Sequence, residues 1–241
     1  VPGQLREKLT DKTKLLILPY PNNPTGGVMS KADLEAIAEV LRGTDVLVLS
    51  DEIYGELRYD KEGHTAFSAV DGMKERTVVV NGFSKTFAMT GWRLGYALGP
   101  AKLIGLMTKV HQYGIMSAPT TAQYAAIEAL SNCDRDVEDM RCEYNDRRRY
   151  IVDGFRAMGL SCFEPLGAFY VFPCIKSTGM SSQEFCERLL QEEKVAVVPG
   201  TAFGDCGEGF IRCSYAYSVE NIHEALVRIE RFVKKYGNKA Q

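Results

Sequence analysis

Residues 84–93 read Ser-Lys-Thr-Phe-Ala-Met-Thr-Gly-Trp-Arg and follow the apolar run Thr-Val-Val-Val-Asn at 77–81. The run predicts a buried strand, so Lys85 lies just beyond a strand end and Arg93 comes eight residues later. A lysine in this place means little by itself, because most lysines are solvated surface charges. Two segments earlier in the chain change that interpretation.

These two segments also place polar residues after predicted strands. Residues 21–26 read Pro-Asn-Asn-Pro-Thr-Gly, and residues 51–54 read Asp-Glu-Ile-Tyr directly after another apolar run. Each segment alone is ordinary turn chemistry or a helix start. However, Asn23, Asp51 and Lys85 all follow the carboxyl end of a strand, which is the edge where parallel α/β sheets bind ligands. Their joint placement predicts a functional site.

Strands and helices alternate in the first part of the chain, which predicts an α/β fold with a mostly parallel sheet. Ser30, with Asp33 three residues later, predicts the capped start of one helix. We expect the strands to be parallel and buried because they are almost continuously apolar. The predicted strands cover 14–18, 46–50, 77–81 and 93–98, and helices cover 101–115, 119–131 and 134–158.

The pattern changes after the long helix. From residue 160 onward, short strands and two helices predict a smaller α+β unit. We therefore expect residues 1–150 to belong to a larger domain that includes the long helix, and residues 151–241 to form a small C-terminal domain. The predicted strands cover 160–163, 169–172, 195–198 and 210–214, one helix begins after Ser181, and the other covers 219–236.

Composition argues against several classes of function. The 241-residue chain has 45% hydrophobic and 25% charged residues and a net charge of −2, so no global basic field indicates nucleic acid or an anionic membrane as a partner. The one local basic run, Arg147–Arg149, lies in a helical pattern and is interpreted as a solvated helix face. No apolar run approaches the roughly 20 residues that a membrane-spanning helix needs.

Cysteine and histidine spacing indicates neither disulfides nor a metal site. The seven cysteines are odd in number, scattered and without a Cys-x-x-Cys pair. Free thiols in a reducing cytoplasm explain them better than disulfides or zinc. His64, His111 and His223 lie far apart in the sequence, so we expect no metal.

Asn-Pro-Thr-Gly at 23–26, Asp-x-x-Tyr at 51–54, and Ser-Lys followed by Gly-Trp-Arg within 84–93 resemble, in this order, the class I and II aminotransferases. These are pyridoxal 5′-phosphate (PLP) enzymes of fold type I, and the similarity is greatest to microbial aspartate or aromatic aminotransferases. The resemblance implies a large PLP-binding domain, of which residues 1–150 would be the C-terminal part. It also implies a small domain that moves over bound substrate.

The resemblance also assigns roles in cofactor chemistry. Lys85 would form the Schiff base with PLP and, once released by substrate, carry out the 1,3-proton shift as a general base and acid. Asp51 would keep the pyridine nitrogen protonated. Tyr54 and Asn23 would donate hydrogen bonds to the phenolate oxygen of the cofactor.

Phosphate binding is implied for Ser84 and Arg93, because a hydroxyl and a forked guanidinium suit phosphate oxygens. The chain departs from one common family pattern here. That pattern has a serine three residues before the lysine, where this chain has Gly82. The missing hydroxyl contact would come from Ser84, a backbone amide or water.

Substrate binding is implied for Arg212, in Phe-Ile-Arg-Cys-Ser-Tyr-Ala at 210–216. It matches the family arginine that binds the substrate α-carboxylate, and Asn23 is assigned to the same substrate site. A bidentate pair with the carboxylate fixes the Cα–H bond relative to the cofactor ring. Residues 199–204, Pro-Gly-Thr-Ala-Phe-Gly, resemble a mobile loop near the substrate entrance, with a plain surface turn as the alternative.

The match begins just before the Asn-Pro-Thr-Gly segment. In the family, an N-terminal stretch precedes it and carries a glycine-rich phosphate loop, an aromatic residue that stacks on the cofactor and an arm to the dimer partner. We find no comparable phosphate loop in this sequence. The sequence is therefore interpreted as a fragment, and we expect it to bind PLP poorly and to be a weak catalyst on its own.

The resemblance implies amino transfer between an L-amino acid and a 2-oxo acid by a cytoplasmic homodimer, with no nucleic acid or membrane partner. A PLP-dependent carbon–sulfur β-lyase or other elimination enzyme is the first alternative, because it shares the same residues. The second is the non-catalytic aminotransferase-like module of a PLP-dependent transcription regulator. The side chain of the substrate cannot be predicted from this sequence.

Overall fold

The structure, a computed structural model, describes residues 2–236, and the chain divides into two compact units. Val1–Pro21 and Val28–Asp139 form the first unit, and Asn22–Gly27 and Met140–Gln241 form the second. The units therefore meet, in sequence, inside the long helix and not at residue 150. They also assign the short segment that carries Asn23 to the C-terminal half of the chain. The division into family domains at residue 150 stays a prediction.

The first unit contains a four-stranded sheet in the order β1-β2-β3-β4. β1, β2 and β3 run parallel and β4 runs antiparallel to β3. The predicted α/β class with a mostly parallel sheet is thus confirmed. The strands are β1 (Leu15–Pro19), β2 (Leu47–Asp51), β3 (Thr77–Gly82) and β4 (Gly95–Leu98).

The prediction of a buried parallel strand over 93–98 was wrong. β4 begins only at Gly95, is antiparallel, and exposes Tyr96 and Leu98. The connection from β3 contains just one short helix and a 3-10 turn at Thr90–Trp92. A parallel neighbour would need a longer crossover, usually helical, whereas an antiparallel neighbour can follow a compact turn.

Helices cover the sheet of the first unit. Ser30 and Asp33 form a reciprocal capping box at the start of α2, as predicted. Leu34, Ile37 and Leu41 of α2 are buried in one apolar cluster with side chains of the sheet. The helices are α1 (Pro2–Lys8), α2 (Lys31–Leu41), α3 (Phe83–Thr86), α4 (Ala101–Ile115), α5 (Thr120–Asn132) and α6 (Asp134–Ala157), the last of which continues into the second unit.

Helices α4 and α5 expose an unusual amount of apolar surface. No residue of α4 is buried, and Val110 and Tyr113 are 75% and 88% exposed. Contiguous exposed apolar side chains mark a contact surface for another protein segment. The large exposed apolar side chains of these two helices, together called the α4–α5 face, are Leu106, Met107, Val110, Tyr113, Ile115, Tyr124, Ile127 and Leu130.

The second unit has a three-stranded antiparallel sheet in the order β5-β7-β6. The strand predicted over 160–163 does not form; Cys162 makes only an isolated bridge with Pro173. Proline has no N–H to continue such a ladder. The strands are β5 (Tyr170–Val171), β6 (Val198–Pro199) and β7 (Ile211–Ser214), and the helices are α7 (Ser182–Glu193) and α8 (Val219–Tyr236).

The interpretation of Arg147–Arg149 as a solvated face was wrong at its central residue. Arg148 is only 5% exposed, whereas Arg149 is exposed. The helical repeat explains the difference, because Arg148 precedes the buried residues Ile151, Val152 and Phe155 by three, four and seven positions. Arg148 therefore lies on the inward stripe of α6.

Residues 2–236 contain neither a membrane-spanning helix nor a cluster of metal-binding side chains. No helix there is long and apolar enough to cross a membrane. No group of three or more His, Cys, Asp or Glu side chains in that range could hold a metal ion. All seven cysteines are free thiols, and burial raises the pKa of Cys162 to about 11 and of Cys186 to about 12.

Candidate active site

Asp51 is the last residue of β2, at the carboxyl edge of the parallel strands. Its register partners are Pro19 of β1 and Val80 of β3. The backbone N–H of Ile53 donates to Asp51 Oδ1 at 3.2 Å. This contact orients the carboxylate at the point where the chain leaves the sheet.

Lys85 and Tyr54 come together at the same edge. Lys85 lies in α3, which begins directly after β3 ends at Gly82. Its Nζ atom is 5.7 Å from the centroid of the Tyr54 ring, and Tyr54 is only 6% exposed. The amine is thus held over the face of a buried phenol, where cation–π attraction favours it.

Gly82 occupies the place of the family serine for a steric reason. A methyl group at Gly82 would lie 3.1 Å from the Cα of Gly95 and 3.1 Å from the carbonyl oxygen of Leu94. The backbone of β4 thus passes so close that a side chain at this position would require it to shift by a few tenths of an ångström. Where the family has a serine hydroxyl, this chain therefore has a close approach of β3 to β4 at Gly82.

Thr90 connects Ser84 with Arg93. The Thr90 hydroxyl donates to the Ser84 carbonyl oxygen at 2.9 Å, and Arg93 Nη1 donates to the Thr90 carbonyl oxygen at 2.9 Å. Arg93 has a left-handed φ of 54° and an exposed side chain. It lines an open cavity of about 420 Å³ with Thr121 at the start of α5 and other residues. The turn after Lys85 therefore forms a defined loop that carries a guanidinium at its end.

A buried acid, Glu52, lies next to Asp51. Glu52 is 3% exposed; its Oε1 accepts from the Ser50 hydroxyl at 2.8 Å and from the Phe67 N–H at 3.1 Å. Its Oε2 lies 2.7 Å from His64 Nε2. These bonds attach the end of β2 to the segment around residues 64–67, and they hold the residue before Ile53 and Tyr54 in place.

In the second unit, Arg212 of β7 binds Asn23. Arg212 Nη1 donates to Asn23 Oδ1 at 2.9 Å. A guanidinium only donates hydrogen bonds, so the amide oxygen must face it. The amide nitrogen of Asn23, a donor, consequently points elsewhere.

Two aromatic rings also contact the Arg212 guanidinium. Its Cζ lies 4.6 Å from the centroid of Tyr170 and 4.9 Å from that of Phe203. Phe203 belongs to the segment 199–204, which forms a short 3-10 turn at Gly200–Phe203. Stacking against flat rings fixes the plane of a guanidinium while leaving its N–H groups available in that plane.

The structure thus distributes the predicted site residues over two groups. Asp51, Tyr54, Ser84, Lys85 and Arg93 lie in the first unit, and Asn23 and Arg212 lie in the second. Sequence reasoning missed further residues that contact or position these groups. Glu52, Thr90, Arg148 and Phe203 lie inside quoted segments but were given no role there, and His64 and Tyr170 were not predicted as site residues. The missed residues are Glu52, His64, Thr90, Arg148, Tyr170 and Phe203.

The chain matches one family model, described as aminotransferase class I and II, over residues 2–229. It is 48% identical to an aspartate aminotransferase of Pyrococcus abyssi (strain GE5 / Orsay), over 96% of this chain and 60% of that protein. It is 57% identical to a Bacillus subtilis (strain 168) protein provisionally named the aminotransferase YugH, over 94% of this chain and 58% of that protein.

A solved structure is similar as well. The aromatic aminotransferase from Pyrococcus horikoshii OT3 superposes with a TM-score of 0.94 at 47% identity, over 97% of this chain and 63% of that one. The chain therefore spans about 60% of the length of the relatives it matches.

Proposed function

The chain belongs to the class I and II aminotransferases, whose members depend on pyridoxal 5′-phosphate, and we propose that it carries the catalytic lysine of a transaminase. The complete protein would transfer the amino group of an L-amino acid to a 2-oxo acid. The observation that carries this proposal is Lys85 Nζ lying 5.7 Å from the ring of buried Tyr54, at the carboxyl edge of the sheet.

The chemistry of the side chains at this edge fits PLP. The cofactor needs an amine for its aldehyde, a carboxylate for its ring nitrogen, a donor for its phenolate oxygen, and positive charge for its phosphate. Lys85, Asp51, Tyr54 and Arg93 offer these groups, and Ser84 adds a hydroxyl beside the lysine. When bound, PLP accepts the electrons released from the substrate Cα–H bond.

Lys85, Asp51 and Tyr54 would each have a separate role in binding the cofactor or transferring a proton. Lys85 would hold the cofactor through its ε-amine; once free, its Nζ would take the proton from the substrate Cα and later donate it. Asp51, oriented by the Ile53 N–H, accepts the N–H of the pyridine ring. Tyr54 donates through its hydroxyl to the phenolate oxygen. Each role matches a group that the fold holds in a defined orientation.

Arg212 would bind the α-carboxylate of the substrate. Its guanidinium is fixed by Asn23 and by the rings of Tyr170 and Phe203, so little side-chain entropy remains to be lost on binding. Asn23, with its amide oxygen turned to Arg212, offers its N–H₂ group to the cofactor or substrate. This orientation supports the donor role expected for it.

Transamination is favoured over the two alternatives. The relatives named above are an aspartate aminotransferase, an aromatic aminotransferase and a protein named only as an aminotransferase, and neither an elimination enzyme nor a transcription regulator is among them. No observation on this chain specifically supports either alternative.

A homodimer in the cytoplasm is part of the proposal. The exposed α4–α5 face supports it, because apolar surface of this extent is normally covered by protein. Seven free thiols are typical of a reducing compartment. Sedimentation of the complete gene product tests the dimer, and a monomer at micromolar concentration would contradict it.

Borohydride reduction after PLP addition, followed by peptide mapping, tests the function assignment. In the complete gene product we expect a pyridoxyl label on Lys85 and none in Lys85→Ala. Lys102→Ala, which changes an exposed lysine of α4, should leave the label in place. A label elsewhere, or none in the wild type, would remove the PLP assignment and with it the transaminase proposal.

A further inference from the structure

We propose that Arg148 is a positioning residue for substrate binding, because it fixes the 164–167 segment on which the Asn23 segment rests. The inference deepens the proposed function and rests on it: Arg148 would act through Asn23 on Arg212 and on the carboxylate that Arg212 binds. All of these residues belong to the second unit.

Arg148 is buried and surrounded by hydrogen-bond acceptors. Its side chain is 6% exposed. Nε donates to Asn145 Oδ1 at 3.0 Å, and Nη1 donates to the Pro165 carbonyl oxygen at 3.2 Å and to the Glu164 carboxylate. A buried guanidinium with this many partners has a fixed position, and it fixes the backbone that it contacts.

The Glu164 carboxylate links Arg148 to a second arginine, Arg156. Arg156 Nη2 donates to Glu164 Oε2 at 2.9 Å and to the Cys162 carbonyl oxygen at 3.2 Å. Partial burial acts to raise the pKa of Glu164, but the hydrogen bonds and charges of Arg148 and Arg156 outweigh it and lower that pKa. The carboxylate thus accepts hydrogen bonds from two guanidiniums at the start of the 164–167 segment.

Backbone hydrogen bonds link the 164–167 segment to the Asn23 segment. The N–H groups of Leu166 and Gly167 both donate to the Gly26 carbonyl oxygen at 2.9 Å. Gly26 has a φ of +68°, and a methyl group on it would lie 2.4 Å from Cβ of Pro165. Two backbone hydrogen bonds and a contact that admits only glycine therefore hold the segment 22–27 against the 164–167 segment that Arg148 anchors.

Hydrogen bonds within the segment 22–27 also hold it together. Gly26 N–H donates to the Asn22 carbonyl oxygen, and Asn22 N–H donates to the Gly27 carbonyl oxygen, both at 2.8 Å. The Thr25 hydroxyl adds a 2.8 Å bond to Asn22 Oδ1. The segment is thus one compact turn, and moving Gly26 moves Asn23, whose amide oxygen holds Arg212.

The proposal requires arginine and not just a positive charge. Nε and Nη1 of Arg148 point in different directions and serve Asn145, Glu164 and Pro165 from one rigid plane. A lysine ammonium is a point donor on a flexible stem, so Arg148→Lys should keep the charge and lose the geometry. Its neighbour Arg149 is exposed, which makes Arg149→Lys a matched control.

The test is a double-mutant cycle in the complete gene product loaded with PLP. Calorimetry with succinate, a dicarboxylate probe, gives the dissociation constant. We expect Asn23→Ala and Arg148→Lys each to weaken binding about tenfold, which corresponds to about 1.4 kcal/mol. The double variant should bind no more weakly than Asn23→Ala alone, because Arg148 acts through Asn23. Arg149→Lys should bind like the wild type.

An additive cycle would overturn the inference, because it would mean that Arg148 affects binding independently of Asn23. Unchanged binding in Arg148→Lys would overturn it as well. The proposed function fails separately, if Asn23→Ala and Arg212→Lys both leave the dissociation constant unchanged. If Arg148→Lys does not fold, Glu164→Gln takes its place in the cycle, with the same expected non-additivity.

Discussion

The two groups of site residues are built in different ways. The part of the lysine group that follows β3 is held by neighbours in sequence: Thr90 bonds to Ser84 and Arg93 bonds to Thr90, all within ten residues. The arginine group is held by remote contacts, since Arg212 and Asn23 are 189 positions apart. The lysine group should therefore respond to local changes, and the arginine group to changes far from it in sequence.

Lys85→Ala should have the largest effect and should be confined to the lysine group. Without the amine, no group at this edge is positioned to move the proton at the substrate Cα, and we expect kcat to fall about 10³-fold or more. The succinate dissociation constant should stay within about twofold, because Arg212 is untouched. A large loss of succinate binding would mean that the two groups are not independent.

Gly26→Ala should be the next largest change and should act on the arginine group. Its positive φ costs about 1 kcal/mol for alanine, and the clash with Pro165 adds about 1–3 kcal/mol. Gly63→Ala is the control, because Gly63 has a φ of +74° and no atom near its missing side chain. Urea unfolding should show Gly26→Ala to be the less stable variant.

Equal free energies of unfolding for the Gly26 and Gly63 variants would contradict the packing of the 22–27 segment against Pro165. Both variants share the cost of a left-handed backbone, so the difference between their free energies of unfolding reports only the contact of Gly26 with Pro165.

Thr90→Val should have a smaller effect, on cofactor binding. It removes the hydroxyl bond to the Ser84 carbonyl, which corresponds to about 1 kcal/mol, or roughly a fivefold weaker PLP affinity. Thr108→Val on α4 deletes a hydroxyl bond of the same kind, to Ile104, and should leave PLP affinity unchanged. Fluorescence titration with PLP measures both, and equal affinities for the two variants would argue against a role for Thr90.

The smallest effect should be a pH dependence of stability from Glu164. Because Arg148 and Arg156 lower its folded-state pKa, with burial opposing them, Glu164 adds stability that is present above its ordinary value of 4.5. That stability is lost as pH falls through the lower folded-state pKa. The difference in melting temperature between wild type and Glu164→Gln should therefore shrink as pH falls below about 4.5.

Glu128→Gln, on an exposed residue of α5, is the control for this titration. If the difference between wild type and Glu164→Gln were constant from pH 7 to pH 3, the two arginines would not be stabilising the Glu164 carboxylate.

Ser84, Lys85 and Arg93 could be predicted from sequence because their signals are contiguous. A strand-like run, a lysine directly after it and an arginine eight residues later lie in one segment. The predicted helices over 101–115 and 219–236 also agree in their bounds with α4 and α8. The direction of β4 could not be predicted, because an apolar run does not specify its partner's orientation.

The burial of Arg148 was missed for a related reason. A run of three arginines after Glu143 and Asp146 has the composition of a solvated face, and composition does not specify which position turns inward. The partners that make burial favourable, Glu164 and the Pro165 carbonyl, lie 16 and 17 residues further on. A buried charge needs such partners, and only the folded chain supplies them.

The sequence by itself determined the α/β class, most helix bounds, and the identity of Lys85, Asp51 and Arg212 as candidate residues. The class and the helix bounds follow from periodicity and capping, which are local properties of the chain, and the candidate residues follow from short motifs and from the resemblance to the aminotransferase family. Only the tertiary structure decided that Asn23 belongs with the C-terminal half, that Arg148 is buried, and that Gly82 marks a close approach of strands. Each of these depends on a contact between residues distant in sequence, and the energy of such a contact exists only once the chain has folded.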